Sequence, residues 1–211
     1  MNKYLSVAVL GLLFLFAPVF MMAQNETTMT NSVNAIVSED MEQTNTIIPT
    51  DDDVGEIAIV TAQAKAIIQG TTEGSPISGQ IMFNETSNGL IVDAEVFNVP
   101  NSGLHGFHVH EKGSCAENGS AAGGHYNPDG MQHGQLMKDG LAKAHAGDMG
   151  NIEIDDKGHG AYTGFLPGIT LTGEKYNISG LAVILHEKAD DFGQPTGNAG
   201  GRIGCGVITK E

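Results

Sequence analysis

Histidines gather in the middle of this sequence. Residues 103–115, GLHGFHVHEKGSC, contain three of the chain's eight histidines and one of its two cysteines. If this stretch forms a β-strand, side chains two positions apart point to the same face, so His108 and His110 project together and His105 points the other way. Two imidazoles side by side make half of a metal site. The alternation also predicts that His105 is not a ligand but packs or hydrogen-bonds to a loop carbonyl.

More residues that could bind a metal follow downstream. His125 and His133 flank a Pro-Asp-Gly turn in HYNPDGMQHG, which allows the chain to double back and bring both rings together. His145 and Asp148 lie three apart in the glycine-flanked segment HAGDMG and can also converge. Three imidazoles with one carboxylate suit zinc, whereas four imidazoles suit Cu(II). With His186 from ILHEKADD there are seven candidates, one too few for two four-coordinate sites unless a ligand is shared.

The segments that must position these residues alternate between short β-prone runs and turns. Two long glycine-rich stretches, residues 111–147 and 187–201, interrupt this pattern, and loops of such length are usually functional or disordered. The pattern predicts an all-β fold, an antiparallel β-sandwich or barrel that carries two functional loops. The runs with strand character cover residues 57–70, 77–86, 90–99, 150–155, 181–187 and 205–210.

The N-terminal region has two parts. Residues 1–23 contain one lysine, a long apolar run and then an abrupt polar switch, which is typical of a secretory signal peptide. The run is long enough for a retained membrane anchor, and Met21 fits poorly at the small-residue position before a cut after Ala23, so an anchor stays an alternative. Residues 24–55 carry seven acids and no Lys or Arg, which predicts a disordered acidic linker before a domain over residues 56–211.

Charge and cysteine count narrow the function classes. The formal net charge of −15 argues against binding nucleic acid or anionic lipid through a broad basic surface.

Cys115 and Cys205 are the only cysteines, and an even count in an exported chain favours one intrachain disulfide. Closing a loop of about 90 residues is worth roughly 4 to 5 kcal/mol in the chain-entropy model. The segment TGNAGGRIGCG lacks the Lys-Ser/Thr pair of a phosphate-binding loop, so we expect no nucleotide site there.

Five segments together resemble the copper/zinc superoxide dismutases of the exported bacterial kind. They are GFHVHEKGS, AAGGHYNP, HAGDMGNI, HEKADDFG and TGNAGGRIGCGVI, in the same order and spacing as in that family, and the resemblance covers most of residues 64–209. It implies a Greek-key, immunoglobulin-like sandwich or barrel of about eight strands. It also implies an oxidoreductase that disproportionates superoxide to dioxygen and hydrogen peroxide, with one copper and one zinc per subunit.

The resemblance also implies a cellular location and a set of partners. The expected location is the periplasm or the extracellular space, with a role in antioxidant defence. Superoxide is the expected small-molecule partner, nucleic acid is not expected, and no membrane association is expected after the signal peptide is removed. A homodimer is compatible with the family, although its bacterial members use a different interface from the eukaryotic ones or none.

Roles for individual residues come from the same resemblance. It implies that a redox-cycling copper and a structural zinc share one histidine, His125, which also transfers a proton. It gives Asp190 hydrogen bonds to a copper ligand and a zinc ligand, and Arg202 the place of the active-site cation. Without the resemblance, both Asp190 and Arg202 would be interpreted as exposed charges. The implied copper ligands are His108, His110, His125 and His186, and the implied zinc ligands are His125, His133, His145 and Asp148.

Some features depart from the family or stay outside the site. Cys115 comes earlier than in cytosolic eukaryotic members, and the segment ADDFGQPTGNAG is shorter than theirs, so their substrate-steering charges cannot be carried over. His159 is expected to be exposed in a turn. The three methionines nearest the ligands are interpreted as loop packing; they are Met131, Met137 and Met149.

Two other function classes stay open. One is a non-catalytic copper/zinc-binding or copper-delivery module on the same fold, against which the complete set of copper ligands and Arg202 argue. The other is a zinc-only structural domain of an exported adhesin or enzyme. It would leave His186 and the pair His108 and His110 without a role.

Overall fold

The computed structural model describes residues 58–211. The predicted signal peptide and acidic linker, as well as the start of the predicted domain at residue 56, lie outside the described residues. In the described part, no helix has the length and apolar character needed to cross a membrane. The strands are β1 (Ala62–Gly70), β2 (Ser78–Thr86), β3 (Gly89–Phe97), β4 (Gly103–His110), β5 (Asp148–Ile154), β6 (Gly160–Pro167), β7 (Ala182–His186) and β8 (Arg202–Lys210).

These strands form a closed antiparallel barrel in the order β1-β2-β3-β6-β5-β4-β7-β8. The first and last strands, β1 and β8, pair to close the barrel. Two other pairs of neighbours are not consecutive in the chain, β3 with β6 and β4 with β7, and they require connections across the barrel ends, as in a Greek key. The predicted all-β antiparallel fold is therefore confirmed. Helical structure in the described residues is limited to a 3₁₀ turn, Ser120–Ala122, and one short helix, α1, Leu136–Asp139.

Strand alternation fills the barrel interior. In β2, Ile81 and Phe83 are fully buried, and in the adjacent β3 the residues Leu90 and Val92 are equally buried. The side chains between them face outward, as a period of two residues requires. Strand β6 is absent from the runs predicted above because two of its inward positions, Gly160 and Gly164, are glycines and interrupt the apolar pattern.

The two long predicted loops are present with the expected bounds. Residues 111–147 connect β4 to β5, and residues 187–201 connect β7 to β8. Every residue of β7 is buried, as are residues 105–110 of β4. Both faces of these strands are covered because one face packs on the barrel core and the two long loops lie over the other. The barrel thus provides a rigid wall beneath the loops that carry most of the predicted site residues.

Candidate metal centre

The predicted ligands converge on the outer face of β4 and β7. Two groups of four residues each offer ligand atoms that lie within 4.8 Å of one another, and His125 belongs to both groups. All seven residues are buried, with 7% exposure at most. The group to which the resemblance assigns copper, called the copper group, is His108, His110, His125 and His186; the group to which it assigns zinc, called the zinc group, is His125, His133, His145 and Asp148.

Strand pairing positions the copper group. His108 and His110 lie on the same face of β4, which pairs with β7 through His108 with Ile184 and His110 with Ala182. His186 ends β7, so its ring reaches the same face, and its Nε2 lies 3.3 Å from Nε2 of His110. The two ring nitrogens that face each other point to a common centre between the strands.

A closed turn positions part of the zinc group. The Asn127 side chain accepts a hydrogen bond from the Met131 N–H and donates one to the Met131 carbonyl, each at 2.9 Å. This closure brings the rings of His125 and His133 to a centroid distance of 5.2 Å. The Pro-Asp-Gly turn thus doubles the chain back on itself.

Asp148, the first residue of β5, completes the zinc group. Its Oδ1 lies 2.8 Å from His125 Nδ1 and 3.1 Å from His145 Nδ1. Its Oδ2 accepts hydrogen bonds from the N–H groups of Gly134 and His145, which fix the orientation of the carboxylate. The short separation between His145 and Asp148 in the chain therefore produces direct contact.

Unpaired ring nitrogens indicate that cations fit these groups. Nδ1 of His108 and Nδ1 of His133 are buried without a hydrogen-bond partner. The other ring nitrogen of each residue contacts Asp190, at 2.9 Å in both cases. His133 Nδ1 lies 2.9 Å from Asp148 Oδ2 without hydrogen-bond geometry. Because buried polar atoms normally have a partner, one cation in each group would satisfy these lone pairs, and imidazole with carboxylate donors suits copper and zinc.

Burial keeps the imidazoles of His110, His125 and His186 neutral. It lowers the pKa of His110 to about 2, with the neighbouring His125 as the next cause. Burial likewise lowers the pKa of His186 to about 3 and that of His125 to about 4. A neutral imidazole has a lone pair to donate, so protons compete weakly for these positions near neutral pH.

Carboxylates set the charge around the zinc group. Burial raises the pKa of Asp148, but contacts from His125, His133 and His145 outweigh it and hold that pKa well below its usual value. For His133, burial lowers the pKa, yet Asp148 and Asp190 together raise it to about 9. Asp148 is therefore available as an anionic ligand, and the imidazole of His133 lies between two carboxylates, those of Asp148 and Asp190.

Asp190 is held in place by an amide side chain from β5. Asn151 Nδ2 donates to the Asp190 carbonyl oxygen at 3.0 Å, and the Asp190 N–H donates to Asn151 Oδ1 at 2.7 Å. The Asp190 carboxylate is fully buried between His108 and His133. It therefore connects one residue of the copper group to one residue of the zinc group.

Arg202 lies beside the copper group at the start of β8. Its Nη1 donates to the Gly119 carbonyl and its Nη2 to the Gly123 carbonyl, both at 2.6 Å. Burial lowers the pKa of Arg202, but a guanidinium remains charged in proteins. The pocket next to it has a volume of about 180 Å³ and is lined by His110, Gly124, His125, His186, Thr196, Asn198, Ala199, Gly200 and Arg202.

The predicted disulfide is present. Cys115 and Cys205 are bonded, with a Cα–Cα distance of 5.7 Å across 90 residues of sequence. The bond attaches the first part of loop 111–147 to β8. The carbonyls that orient Arg202 belong to this attached part of the loop, so the disulfide and the guanidinium act on the same segment.

The remaining histidines lie outside both groups. His105 has ring nitrogens 2.8 Å from the His186 carbonyl and 2.9 Å from the Asn101 carbonyl, so it holds the end of β7 against the barrel. His159 is half-exposed and stacks on Phe97 at a centroid distance of 4.9 Å.

The three methionines near the ligands take packing positions. Met149 is buried in the core, and Met137 Sδ lies 3.7 Å from the Tyr162 hydroxyl. Met131 closes the Asn127 turn through its main chain.

Sequence reasoning missed the amide side chains that hold the loops. Asn127, Asn151 and Gln194 each pair with both the N–H and the carbonyl of one residue in or beside the site. Isolated Asn and Gln residues in polar segments carry no periodic signal. Only Asn127, which precedes the Pro-Asp-Gly turn, had a local cue in the chemistry of turns.

The chain is similar to known proteins over most of its described length. It matches the family model for copper/zinc superoxide dismutase over residues 77–208. It is 41% identical over 143 residues to Cu-Zn superoxide dismutase 2 of Aquifex aeolicus, a match that covers 65% of this chain and 81% of that one. It is 38% identical over 148 residues to Cu-Zn superoxide dismutase 2 of Brassica juncea, covering 67% and 93%.

Two further similarities extend the comparison. The extracellular Cu-Zn superoxide dismutase of Drosophila melanogaster is 39% identical over 145 residues, covering 65% of this chain and 78% of the relative. Among solved structures, the clock protein EA4 superposes with a TM-score of 0.63 at 35% identity, covering 74% of this chain and 99% of that chain.

Proposed function

This chain belongs to the copper/zinc superoxide dismutase family, and on that premise we propose which of its residues bind the two metals and process the substrate. The protein is an enzyme that disproportionates superoxide with copper and zinc as cofactors. We assign copper to the copper group and zinc to the zinc group. The observation that carries this assignment is the membership of His125 in both groups of buried donors.

The reaction consumes two superoxide ions and two protons and yields one dioxygen and one hydrogen peroxide. Copper in the copper group supplies a one-electron acceptor and donor, and zinc in the zinc group supplies a fixed positive charge. The protein must therefore attract an anion, deliver protons and hold the metal ligands in fixed positions.

Arg202 is the residue we assign to anion attraction. Its guanidinium lines the same pocket as three copper-group rings, those of His110, His125 and His186. The net charge of the chain is −15, so attraction of an anion depends on the local field of this cation in the cleft rather than on total charge. Arg202 is the only arginine in the chain.

His125 is the residue we assign to proton delivery. Its Nδ1 faces Asp148, which leaves Nε2 as the nitrogen on the pocket side. An imidazole that holds a proton at Nε2 can hand it to the outgoing peroxide, while water supplies the second proton. His125 thus serves as a ligand and as a general acid.

We further propose that the chain is exported to the periplasm or the extracellular space, as in bacterial members of the family. The signal-peptide pattern of residues 1–23 and the disulfide Cys115–Cys205 support export. The Drosophila melanogaster relative is named as extracellular. We also propose a homodimer, which light scattering of the purified chain would test.

The ligand assignment is tested by metal analysis and activity together. The purified full chain is loaded with copper and zinc, and the rate of superoxide disproportionation is compared with that of His186→Ala. We expect His186→Ala to lose copper binding and activity because the copper group drops to three donors. His159→Ala, which removes a histidine outside both groups, is the control and should keep both. Full activity in His186→Ala would contradict the assignment, and an inactive, fully metallated wild type would favour a copper-delivery module.

A further inference from the structure

The main chain of His133 is held by a side chain from the other long loop. Its N–H donates to Gln194 Oε1 at 3.0 Å, and its carbonyl oxygen accepts a hydrogen bond from Gln194 Nε2 at 2.9 Å. A primary amide satisfies both groups in one orientation only, because one of its atoms accepts and the other donates. Gln194 therefore fixes both the position and the direction of the His133 backbone.

The ring of His133 is held from the same short segment. Its Nε2 lies 2.9 Å from Asp190 Oδ1, and the Phe192 ring stacks on it at a centroid distance of 6.4 Å and an interplanar angle of 19°. Phe192 has a left-handed φ of 58°, which is an outlier for a bulky residue. Its N–H donates to Asp190 Oδ1 at 2.8 Å. Such backbone strain persists only where the surroundings over-determine the conformation.

A count of the polar atoms of His133 shows what remains free. The main-chain N–H and carbonyl pair with Gln194, and Nε2 pairs with Asp190, while Nδ1 alone has no hydrogen bond. The residue is 4% exposed, so water does not replace these contacts. Nδ1 faces Asp148 Oδ2 at 2.9 Å. Asp190 and Gln194 thus occupy every polar group of His133 except the lone pair that would bind a metal.

We propose that Gln194 is a positioning residue of the zinc site, which holds His133 Nδ1 toward Asp148 and slows the release of zinc. This proposal rests on the proposed function, because it takes the zinc group as the zinc site. Loop 187–201 follows His186 directly, so the same contact ties a zinc ligand to the loop that continues from a copper ligand. Mutation of the residues that hold a metal-binding histidine in place typically lowers metal affinity by about ten- to a hundredfold.

Zinc release from the full, disulfide-bonded chain to a chromogenic chelator tests this role. Gln194→Met keeps the side-chain length and removes the amide, and we expect release to become about tenfold faster. With Co(II) in place of zinc, we also expect the visible absorption spectrum of Gln194→Met to shift, since the His133 ring loses its fixed direction. A purely structural role would leave that spectrum unchanged.

Asp191→Ala is the matched control in the same loop. The Asp191 carboxylate accepts hydrogen bonds from the Gly193 N–H and the Asn198 side chain, and these contacts stay within the loop. We expect its zinc release and cobalt spectrum to match those of the unchanged chain. Equal acceleration in both variants would indicate general loosening of the loop and overturn the proposal.

Two further outcomes are distinguishable. A lower unfolding temperature of zinc-free Gln194→Met with unchanged zinc release would assign Gln194 to the fold alone and overturn the proposal. His133→Ala tests the underlying assignment separately: if this variant binds zinc with unchanged stoichiometry and affinity, the zinc site proposed above is wrong and the positioning role fails with it. Loss of zinc from His133→Ala together with faster release from Gln194→Met supports both.

Discussion

Arg202 and His110 share one acceptor, the carbonyl oxygen of Gly123. Nη2 of Arg202 donates to it at 2.6 Å and Nδ1 of His110 donates at 3.0 Å. The proposed substrate-attracting cation and a proposed copper ligand are thus oriented by the same peptide group. Because Gly123 lies in the loop that Cys115 attaches to β8, a change in that loop should affect the cation and the ligand together.

Removal of the Arg202 cation should slow substrate capture. We expect Arg202→Ala to lower kcat/KM for superoxide by roughly tenfold or more and to weaken its dependence on ionic strength. Arg202→Lys should be intermediate, since an ammonium keeps the charge but lacks the planar fork that reaches two carbonyls. Rates measured by pulse radiolysis at several salt concentrations check this. Lys210→Ala, an exposed cation at the far end of β8, should keep the original rate, and an equal loss there would contradict a local role.

Loss of the disulfide should cost stability and activity together. We expect Cys115→Ser with Cys205→Ser to reduce the free energy of unfolding by about 2 to 5 kcal/mol. The carbonyls of Gly119 and Gly123 would then lose their attachment to β8, and kcat/KM should fall because Arg202 is no longer held. Urea unfolding and activity of the fully metallated variant measure the two effects. Reduced stability with unchanged kcat/KM would show that the loop keeps its place without the disulfide.

A methyl group at Gly197 should separate Asp190 from His133. A Cβ there would collide with Asp190 Oδ1 and lie 2.6 Å from His133 Nε2. Gly74 has a similar φ, 75° against 77°, but a Cβ at Gly74 meets nothing within 4 Å. Both alanine variants therefore carry left-handed strain of about 1 to 2 kcal/mol, and only Gly197→Ala should also lose zinc. Thermal unfolding and zinc content of the two proteins make the comparison, and equal zinc content would refute it.

The metal-free protein should be most stable near pH 6.5. The pKa values of His110 and His186 are lowered to about 2 and 3. The contribution of these two histidines to the free energy of unfolding is therefore complete above pH 6.5 and is lost as the pH falls. The pKa of His133 is raised from 6.5 to about 9. Its contribution to the free energy of unfolding is therefore complete below pH 6.5 and is lost as the pH rises from there to about 9. Asp148 and Asp190 have lowered pKa values and lose their contribution only as the pH falls below their ordinary 3.8.

Urea unfolding midpoints of the metal-free chain across this pH range check the expectation. They should pass through a maximum and fall on both sides. His159→Gln, which alters a half-exposed histidine outside both groups, should leave the shape of the profile unchanged. A midpoint that does not vary with pH would mean that the buried histidines contribute nothing to folding.

Local patterns in the sequence were sufficient to predict much of the fold and the positions of several histidines. Alternation along β4 put His108 and His110 on one face, and turn chemistry brought His125 near His133. The glycine-rich composition marked the two long loops, and the cysteine count indicated the disulfide. The histidine inferences succeeded because each depends on the geometry of a few consecutive residues, which strand pleating and turn types impose, and the disulfide could be inferred because the chain has only two cysteines. Where glycine interrupted the pattern, as in β6, the strand was not visible in the sequence.

The tertiary structure alone decided the contacts that the loops make with the strands and with each other. His108 meets Asp190 across 82 residues, Arg202 meets Gly119 across 83, and His133 meets Gln194 across 61. No local period encodes such a pairing, because it arises when barrel closure places two loops over the same strands. Taken by themselves in the sequence, Asp190 and Arg202 resemble exposed charges and Gln194 an ordinary loop amide. Their partners exist only after the chain has folded, and that is why these roles could not be derived from the residues alone.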